Sequence, residues 1–320
     1  MCAERNAPVL ALPSDYSARS ATKVDFEQIH KLIHDYDVSV AGYSDFALDD
    51  LRELFHEEHL EPERDTRIVV DDGDAAVGYT MLWGREAHRR YAAFAVVHPD
   101  HLGRGLGGHL LSFLERRMLE LVVDDSGVVL WNWIDLEDEA AQSMVEAAGF
   151  TEVRRHYTML ADLAGTAPAI HDPEGISIRT CTEEDAEVVH GLLEETFADH
   201  WGFTPTSFET WRKQSYERSD THLDMWFLAL EGDEPVGALV GRPIEDMGWV
   251  ADLGVKKRWR KRGIASALLK RSFADFKRRG FNKVGLGVDA SNETGAVRLY
   301  EGVGMKASRV YLTYEKLYRP

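Results

Sequence analysis

Cysteine and long apolar runs are scarce in this sequence of 320 residues. The two cysteines, Cys2 and Cys181, are too few for a disulfide framework or a cysteine-based zinc site. No apolar run reaches the roughly 18 residues that would span a bilayer, and the first residues lack the apolar core of a signal peptide. We therefore expect a soluble, cytoplasmic protein that needs no metal.

Positive charge is also limited, because 37 Lys and Arg face 55 Asp and Glu, for a net charge of -18. Such a field repels nucleic acids and anionic membranes, so we expect neither as a partner. It is compatible with a cationic substrate. The sequence does not distinguish a monomer from a homodimer.

The chain length predicts two domains. The stretch "ADLAGTAPAIHDPEGI", residues 161–176, lacks helical or strand periodicity and is the best linker candidate. We accordingly predict an N-terminal tail at 1–20, a first domain at 21–162, a linker at 163–174 and a second domain at 175–320.

The two halves resemble each other, which indicates an internal duplication. "VHPDHLGRGLGGHLLSFLERRM" from Val97 aligns with "VKKRWRKRGIASALLKRSFADF" from Val255, so that Gly105 matches Gly263 and Gly107 matches Ala265. Each half reads as an amphipathic helix, several strands, a glycine loop, a helix, a strand and a helix. This order predicts an α+β arrangement that occurs twice.

The second glycine loop has the features of a phosphate-binding loop. A glycine turn that opens a helix presents unpaired backbone N–H groups at the positive end of the helix dipole. The flanking cations would add charge: Lys256, Lys257, Arg258, Arg260, Lys261 and Arg262. The alternative is a solvated basic turn in which the glycine only permits a tight bend.

These motifs carry a family resemblance. Arg260-x-x-Gly263-x-Ala265 resembles the acetyl-CoA signature of the GCN5-related N-acetyltransferases (GNAT), and "NETGAVRLYEGVGM" resembles their second signature. The resemblance implies two tandem domains, each a mostly antiparallel sheet flanked by helices, with a splayed strand pair that binds acyl-CoA. The tandem arrangement is similar to that of mycothiol synthase-like bacterial acetyltransferases.

The resemblance also implies roles for individual residues. The Val255 N–H would polarise the acetyl carbonyl, and Tyr300 would act as general acid at the CoA sulfur. The residues implied to bind acetyl-CoA, the co-substrate, are Val255, Arg260, Lys261, Arg262, Gly263, Ile264, Ala265, Ser266, Asn292, Ala296 and Tyr300. An alternative for Tyr300 is an ordinary core aromatic.

The first half departs from this pattern. Leu102 stands in place of Arg260, Glu137 in place of Asn292, and Val145 in place of Tyr300. We therefore predict a degenerate N-terminal domain and a catalytic C-terminal domain. A second possible CoA site would use Val97, Arg104, Gly105 and Gly107.

The general base stays open among several residues. The catalytic candidates beside Tyr300 are Asp252, on the strand that leads to Val255, and His200, which titrates near neutrality. The other acidic candidates are Asp289, Glu245 and Asp246. Asp199 and Trp201 are candidates for binding a cationic acceptor group.

The sequence thus predicts an acetyl-CoA-dependent N-acetyltransferase that moves an acetyl group to a primary amine, on a small metabolite, by direct attack in a ternary complex. One alternative is a protein or peptide N-acetyltransferase. The other is a non-catalytic acyl-CoA-binding module. Trp131 and Trp133, which share one face of the strand "VVLWNWID", are expected to belong to the core or to a domain interface rather than to a ligand platform.

Overall fold

A computed structural model describes residues 8–57, 60–85, 89–165, 170–292 and 295–319. Part of the predicted tail (1–7), part of the predicted linker (166–169) and two residues of the second signature (293–294) lie outside the described residues. The chain divides into two compact units. Unit 1 comprises Met1–Arg155 and Val310–Pro320, and unit 2 comprises His156–Arg309.

Unit 1 is a mixed sheet flanked by helices. Its strands are β1 (Tyr16–Arg19), β2 (Thr66–Asp71), β3 (Ala76–Arg85), β4 (Arg90–Val97), β5 (Val128–Asp135) and the C-terminal part of β12 (Lys306–Tyr318), in the order β1-β2-β3-β4-β5-β12. Its helices are α1 (Phe26–Ala41), α2 (Leu48–Leu54), α3 (Pro62–Asp65), α4 (Leu106–Leu121) and α5 (Glu139–Ala147). β4 and β5 run parallel, and the other pairs in this unit are antiparallel.

Unit 2 repeats this plan. Its strands are the C-terminal part of β6 (Thr151–Asp162), β7 (Ile176–Thr180), β8 (Phe227–Glu231), β9 (Glu234–Ile244), β10 (Met247–Val255) and β11 (Lys283–Asp289), in the order β6-β11-β10-β9-β8-β7. Its helices are α6 (Ala186–Phe197), α7 (Phe208–Trp211), α8 (Ile264–Arg278) and α9 (Ala296–Gly302). β10 and β11 form the parallel pair. The predicted fold class is therefore confirmed.

The units do not coincide with the contiguous domains 21–162 and 175–320 predicted from the sequence. The end of the chain belongs to unit 1, because Tyr311–Tyr318 pair antiparallel with β5. The end of β6 belongs to unit 2, because His156–Asp162 pair antiparallel with β11. Each sheet is thus completed by a strand that local sequence order assigns to the other half.

Helix α8 forms where its apolar spacing predicts it. Ile264, Leu268, Leu269, Phe273 and Phe276 are all buried in the core of unit 2. Apart from the adjacent Leu268 and Leu269, these positions recur every three or four residues, so that they share one face of the helix. The helix ends two residues before Gly280, whose φ of 97° is strained for other residues.

The duplication extends beyond the glycine loops. The turn that starts α1 is closed by a bidentate pair between Arg19 and Asp25, and the turn that starts α6 by the same pair between Arg179 and Asp185. The N–H of Tyr16 donates to the Pro13 carbonyl at 3.1 Å, as the N–H of Ile176 does to Pro173 at 3.0 Å. The two units therefore share hydrogen bonds that no sequence motif revealed.

The described helices include none that is long and apolar enough to cross a membrane.

Candidate active site

The parallel strands of unit 2 separate part-way along their length. β10 and β11 are paired at Gly248–Val284 and Trp249–Gly285, whereas β10 continues to Val255 and β11 to Asp289. A bulge at Ala251 shifts the register between β10 and β9 just beyond the last of these pairs. Bulges bend the strand that contains them, which opens a gap between β10 and β11.

Two backbone N–H groups of β10 point into this gap. The Lys256 N–H donates to the Val236 carbonyl of β9 at 3.0 Å. Because hydrogen-bonding direction alternates along an antiparallel strand, the N–H groups of Leu253 and Val255 face away from β9. Val255 was predicted from the sequence. Leu253 was missed, since alternation in a sequence does not show which strand edge is unpaired.

A cradle of backbone donors follows the end of β10. Gly263 adopts φ 82° and caps α8 without a side-chain hydrogen bond. The first intrahelical bond runs from Ala267 N–H to the Gly263 carbonyl at 3.0 Å. The N–H groups of the preceding residues, Ile264, Ala265 and Ser266, consequently have no intrahelical acceptor, which is the arrangement that binds phosphate groups.

The loop that presents this cradle contains a strained residue. Lys261 has φ 63°, and its counterpart in unit 1 is Gly103, with φ 72°. A side chain in this conformation costs roughly 1–2 kcal/mol. Hydrogen bonds from Arg260 offset this cost and stabilise the loop. Its Nε donates to the Val255 carbonyl at 3.0 Å, and its Nη2 donates to the Thr196 carbonyl at 3.4 Å. The Arg260 guanidinium thus supports the site and is directed at the protein.

The cationic run is less available to a ligand than its sequence predicted. Lys256 lies 3.8 Å from Glu195, Lys257 pairs with Asp199, and Arg262 donates to Glu231 at 2.7 Å. Arg258 lies over the Trp259 ring, 5.2 Å from its centre. Among the residues that the structure describes, Arg260 donates only to carbonyls, and Lys261 alone in this run has no ion pair, side-chain hydrogen bond or ring contact. The carboxylate partners Glu195, Asp199 and Glu231 come from other parts of unit 2, so the sequence of the run does not reveal them.

Tyr300 lies in the core cluster of unit 2 that also contains Val255. Burial raises the pKa of Tyr300 to about 12. The phenol therefore stays protonated throughout the neutral range. Ala296, the first residue of α9, packs partly buried against the same cluster.

The residue of unit 1 that corresponds to Asn292 is not the expected Glu137. The Asn292 N–H donates to the Asp289 carbonyl at 3.1 Å, and in unit 1 the Asp138 N–H donates to the Asp135 carbonyl at the same distance. The counterpart of Asn292 is therefore Asp138, and the expected Glu137 is wrong by one position. An ungapped alignment missed this because the turns between strand and helix differ in length.

The face of β10 and β11 that lies toward α6 is open in unit 2. A Cβ on Gly254 would collide with Thr196 of α6, so Asp252, two residues earlier, shares that face. A Cβ on Gly287 would meet no described atom within 4 Å. Allowing for the bulge, Asp252 and Gly287 are both two positions beyond the Trp249–Gly285 pair, so they lie at the same level of the gap.

The same face is filled in unit 1. Asp135 and Asp289 accept equivalent turn hydrogen bonds, both of 2.8 Å, so Trp133 corresponds to Gly287. Trp133 is stacked on Trp83, with ring centres 5.7 Å apart. Its predicted core role is consistent with this packing. The sequences "VVLWNWID" and "KVGLGVDA" show that tryptophans in the first strand are replaced by glycines in the second. Only the strand register shows that Trp133 and Gly287 lie on the face beside the gap.

Asp252 titrates in an unusual environment. Burial raises its pKa to about 6, while the charge of Arg242 acts in the opposite direction. Arg242 lies 3.6 Å from Asp220, which accepts two hydrogen bonds from Arg218, of 2.7 and 2.8 Å. A carboxylate with this pKa is mostly ionised at pH 7 and is more basic than an ordinary aspartate.

His200 lies in different surroundings. Burial and the charge of Arg260 lower its pKa, and the carboxylates of Asp289 and Asp199 partly offset this. Its ring packs edge-on against Phe197, with centres 4.5 Å apart. The imidazole is therefore neutral at pH 7 and can accept a proton. Trp201, next in the chain, is 37% exposed.

Two predicted base candidates are excluded by position. Glu245 and Asp246 form the turn between β9 and β10, before Met247 begins β10. They thus lie at the end of β10 opposite Val255, about 26 Å away at 3.3 Å per residue. Asp289 lies at the correct end of β11, where its Oδ1 accepts from the Ser291 N–H at 2.8 Å.

Unit 1 keeps the cradle geometry. Gly105 has φ 84° and caps α4, and the His98 N–H donates to Val77 at 2.9 Å, as Lys256 does in unit 2. The Val97 N–H therefore also faces its gap. Arg104 donates to the Tyr16 hydroxyl and the Asp100 carbonyl.

Other features of unit 1 are lost. Val145, which replaces Tyr300, is buried and has no ionisable group. Among the described residues, no group of three or more His, Cys, Asp or Glu is placed to hold a metal ion.

Comparison with known proteins identifies the family. The model of the acetyltransferase (GNAT) family matches residues 26–150 and 188–305. A protein named mycothiol acetyltransferase from Thermobispora bispora is 32% identical over 264 residues, which cover 78% of this chain and 83% of that protein. A GCN5-related N-acetyltransferase from Sphaerobacter thermophilus has a crystal structure that is 30% identical, with a TM-score of 0.77 and coverage of 97% and 98%.

A tandem GNAT protein from the clavulanic acid biosynthesis pathway shares the fold at 14% identity, with a TM-score of 0.71 and coverage of 95% of this chain and 99% of that one. The predicted resemblance is confirmed by all these matches. The chain belongs to the GNAT family and is an acyl-CoA-dependent N-acetyltransferase.

Proposed function

We propose that unit 2 transfers an acetyl group from acetyl-CoA to the primary amine of a small metabolite, by direct attack in a ternary complex. The observation that carries this proposal is the pair of N–H groups, of Leu253 and Val255, that face the gap beside the Gly263 cradle. Such donors stabilise the negative charge that develops on a carbonyl oxygen during acyl transfer.

The remaining steps follow from the groups around the gap. The acceptor must lose a proton to attack, and Asp252 is the favoured base because it shares the gap with Gly287 and has a pKa suited to the task. His200 is the second candidate. The amine nitrogen forms a bond with the acetyl carbon as the carbon–sulfur bond breaks. Tyr300 then donates its proton to the departing sulfur.

The cradle of Gly263, Ile264, Ala265 and Ser266 would hold the pyrophosphate of acetyl-CoA. Lys261, two residues before Gly263, would add positive charge, and Arg262, next to Gly263, is paired with Glu231. Arg260 would act as a positioning residue for the loop. Asn292 and Ala296 would lie on the α9 side. In unit 1, Val97, Arg104, Gly105 and Gly107 would form the second CoA site, without an acid or an open acceptor face.

The names of the relatives suggest the acceptor to test first. Because they are mycothiol acetyltransferases, we propose that the acceptor is the amine that becomes acetylated in mycothiol, or one close to it. The partly exposed Trp201 would lie beside a cationic acceptor group, and the carboxylate of Asp199 would have to exchange its pairing with Lys257 to contact that group.

The test is an acetylation assay with purified protein, acetyl-CoA and three acceptor sets: the deacetylated form of mycothiol, a panel of simple primary amines, and lysine-containing peptides. We expect acetylated product, detected by mass, with the first set or the amines. Acetylation of peptides alone would support the protein-acetyltransferase alternative. Binding of acetyl-CoA without product from any set would support the non-catalytic alternative.

A further inference from the structure

One arginine of unit 1, Arg67, has no counter-charge among the residues that the structure describes. Arg67 of β2 is half-buried, and its Nε is buried without a hydrogen-bond partner. Its guanidinium carbon lies 5.4 Å from the centre of the Phe113 ring of α4. Among the described residues, Arg67 makes no ion pair. Buried polar groups are normally satisfied, so this one requires an explanation.

Two more basic side chains lie on the same face of α4. His109, Phe113 and Arg116 are spaced by four and three residues, which places them along one side of the helix. Within the described part of the chain, Arg116 forms one ion pair, with Glu120 at 4.0 Å, and both side chains are about 40% exposed. Glu120 is also shared with Arg64 and Arg117. We call Arg67, His109 and Arg116 the α4 cluster.

His109 is buried at 5% exposure, and one of its nitrogens has no partner. Nδ1 lies 2.6 Å from the Leu10 carbonyl, which can only accept, so Nδ1 carries the proton. In the neutral ring Nε2 is then an acceptor, and it is buried and unpartnered. A ligand that reaches it must donate a hydrogen bond.

The electrostatics of the α4 cluster are consistent with a missing anion. Burial and the charge of Arg116 lower the pKa of Arg67. Burial also lowers the pKa of His109, and the charges of Arg67 and Arg116 lower it further. The hydrogen bond to the Leu10 carbonyl raises this pKa and so partly offsets the decrease. A half-buried positive cluster of this kind is unfavourable unless an anion compensates it.

The α4 cluster is not a requirement of the fold. β1 and β2 of unit 1 are paired in the same register as β7 and β8 of unit 2. This register gives Arg67 in unit 1 the same position as Phe227 in unit 2. The first helical hydrogen bonds match His109 with Ala267. The same register matches Phe113 with Arg271, whose guanidinium donates to Asp172 at 2.7 Å. Unit 2 therefore keeps a single arginine at this helix–sheet contact and supplies its counter-charge, so the α4 cluster is a feature of unit 1 and is separate from the CoA cradle that both units keep.

We propose that the α4 cluster binds inorganic hydrogen phosphate, which keeps a P–OH group at neutral pH, whereas a phosphate monoester is mostly a dianion without one. The Arg67 guanidinium would contact two phosphate oxygens, Arg116 would contribute charge, and a P–OH group would donate to Nε2 of His109. Sulfate and carboxylates are fully deprotonated at neutral pH and do not offer that donor. The cluster therefore favours phosphate over other oxyanions.

The test measures thermal unfolding of the full chain in inorganic phosphate, in sulfate and in chloride at equal ionic strength, with saturating acetyl-CoA so that the cradles are occupied. A ligand at about tenfold its Kd should raise Tm by about 3–5 °C. We expect that rise with phosphate and a smaller one with sulfate. Glucose 6-phosphate, which is mostly without a P–OH group at pH 7, should bind more weakly than inorganic phosphate in calorimetry, and tighter binding of glucose 6-phosphate would overturn the role of the P–OH group.

Arg67→Met provides the discriminating variant, and Arg52→Met, on the surface of the same unit, is the control with the same change in charge. We expect Arg67→Met to lose the phosphate response and, in chloride, to melt no lower than the unmodified chain, because an uncompensated charge is removed. Arg52→Met should keep the full response. If Arg67 serves only to pack on Phe113, its variant melts lower in every buffer and phosphate has no specific effect, which would overturn the proposal. Equal shifts in phosphate and sulfate would overturn the assignment to phosphate.

Discussion

Replacement of Asp252 by Asn tests whether this carboxylate is the general base. The pKa of Asp252 is raised to about 6, so about 90% of the groups are ionised at pH 7 and about 10% at pH 5. If the ionised form is required, kcat/KM falls about tenfold for each pH unit below 6. Asp252→Asn should lose this dependence and reduce kcat/KM at pH 7 by about 10²–10⁴-fold.

The stability of the variant provides an internal control. Because the pKa of Asp252 in the folded protein is above that of an unfolded aspartate, the ionised carboxylate disfavours the folded state. The folded protein therefore loses stability as the pH rises from about 4 to 6, by at most about 3 kcal/mol, and less because the side chain is only half-buried. Asp252→Asn should abolish this loss, so a slow variant that remains at least as stable has lost chemistry and not its fold.

The assay is release of CoA, followed chromatographically from pH 5 to 9 so that the detection does not itself depend on thiol ionisation. Arg242→Met serves as the partner variant, because removal of the charge that lowers the pKa of Asp252 should move the acidic limb to higher pH. The reasoning is refuted if Asp252→Asn keeps both the acidic limb and a rate within a few-fold of the unmodified enzyme. His200 would then be the base to test.

Three further changes probe other parts of the site. Tyr300→Phe should lower kcat by two orders of magnitude or more without loss of Tm, since no protein hydrogen bond to the hydroxyl is described; an unchanged kcat would remove the acid role. Arg260→Leu introduces the residue that unit 1 has at this position, Leu102. It should lower the free energy of unfolding by about 1–3 kcal/mol and raise KM for acetyl-CoA, because the Val255 and Thr196 carbonyls lose their donor. Unchanged urea unfolding and an unchanged KM would contradict this. Gly287→Trp should leave acetyl-CoA binding intact in calorimetry and raise KM for the amine, whereas equal loss of both would show that Gly287 does not face the acceptor.

Much of the fold could be predicted from local sequence patterns. Helix α8 and its glycine cap follow from apolar spacing and from one residue, Gly263, whose conformation few other residues adopt. The repeated order of elements follows from the alignment of Gly105 with Gly263. These features depend on neighbours within a few residues, which is the range that periodicity and capping describe.

Long-range features could not be predicted in the same way. Residues 310–318 belong to unit 1 because they pair with the edge of β5. The alternation of apolar and polar residues in this segment predicts a strand but does not identify β5 as its partner. The bulge at Ala251 determines which N–H groups of β10 face the gap, and the amino-acid sequence around Ala251 does not predict a bulge there. The carboxylates that occupy the cationic run, such as Glu231, come from distant strands.

The most direct test of the central claim, that unit 2 performs the transfer, is a comparison of Gly263→Glu with Gly105→Glu. Both glycines cap a helix with nearly the same φ, 82° and 84°, so the backbone strain introduced, roughly 1–2 kcal/mol, is matched. Steady-state acetyl transfer should disappear in Gly263→Glu and stay within a few-fold of the unmodified rate in Gly105→Glu. Loss of transfer in Gly105→Glu together with retention in Gly263→Glu would contradict the assignment of catalysis to unit 2.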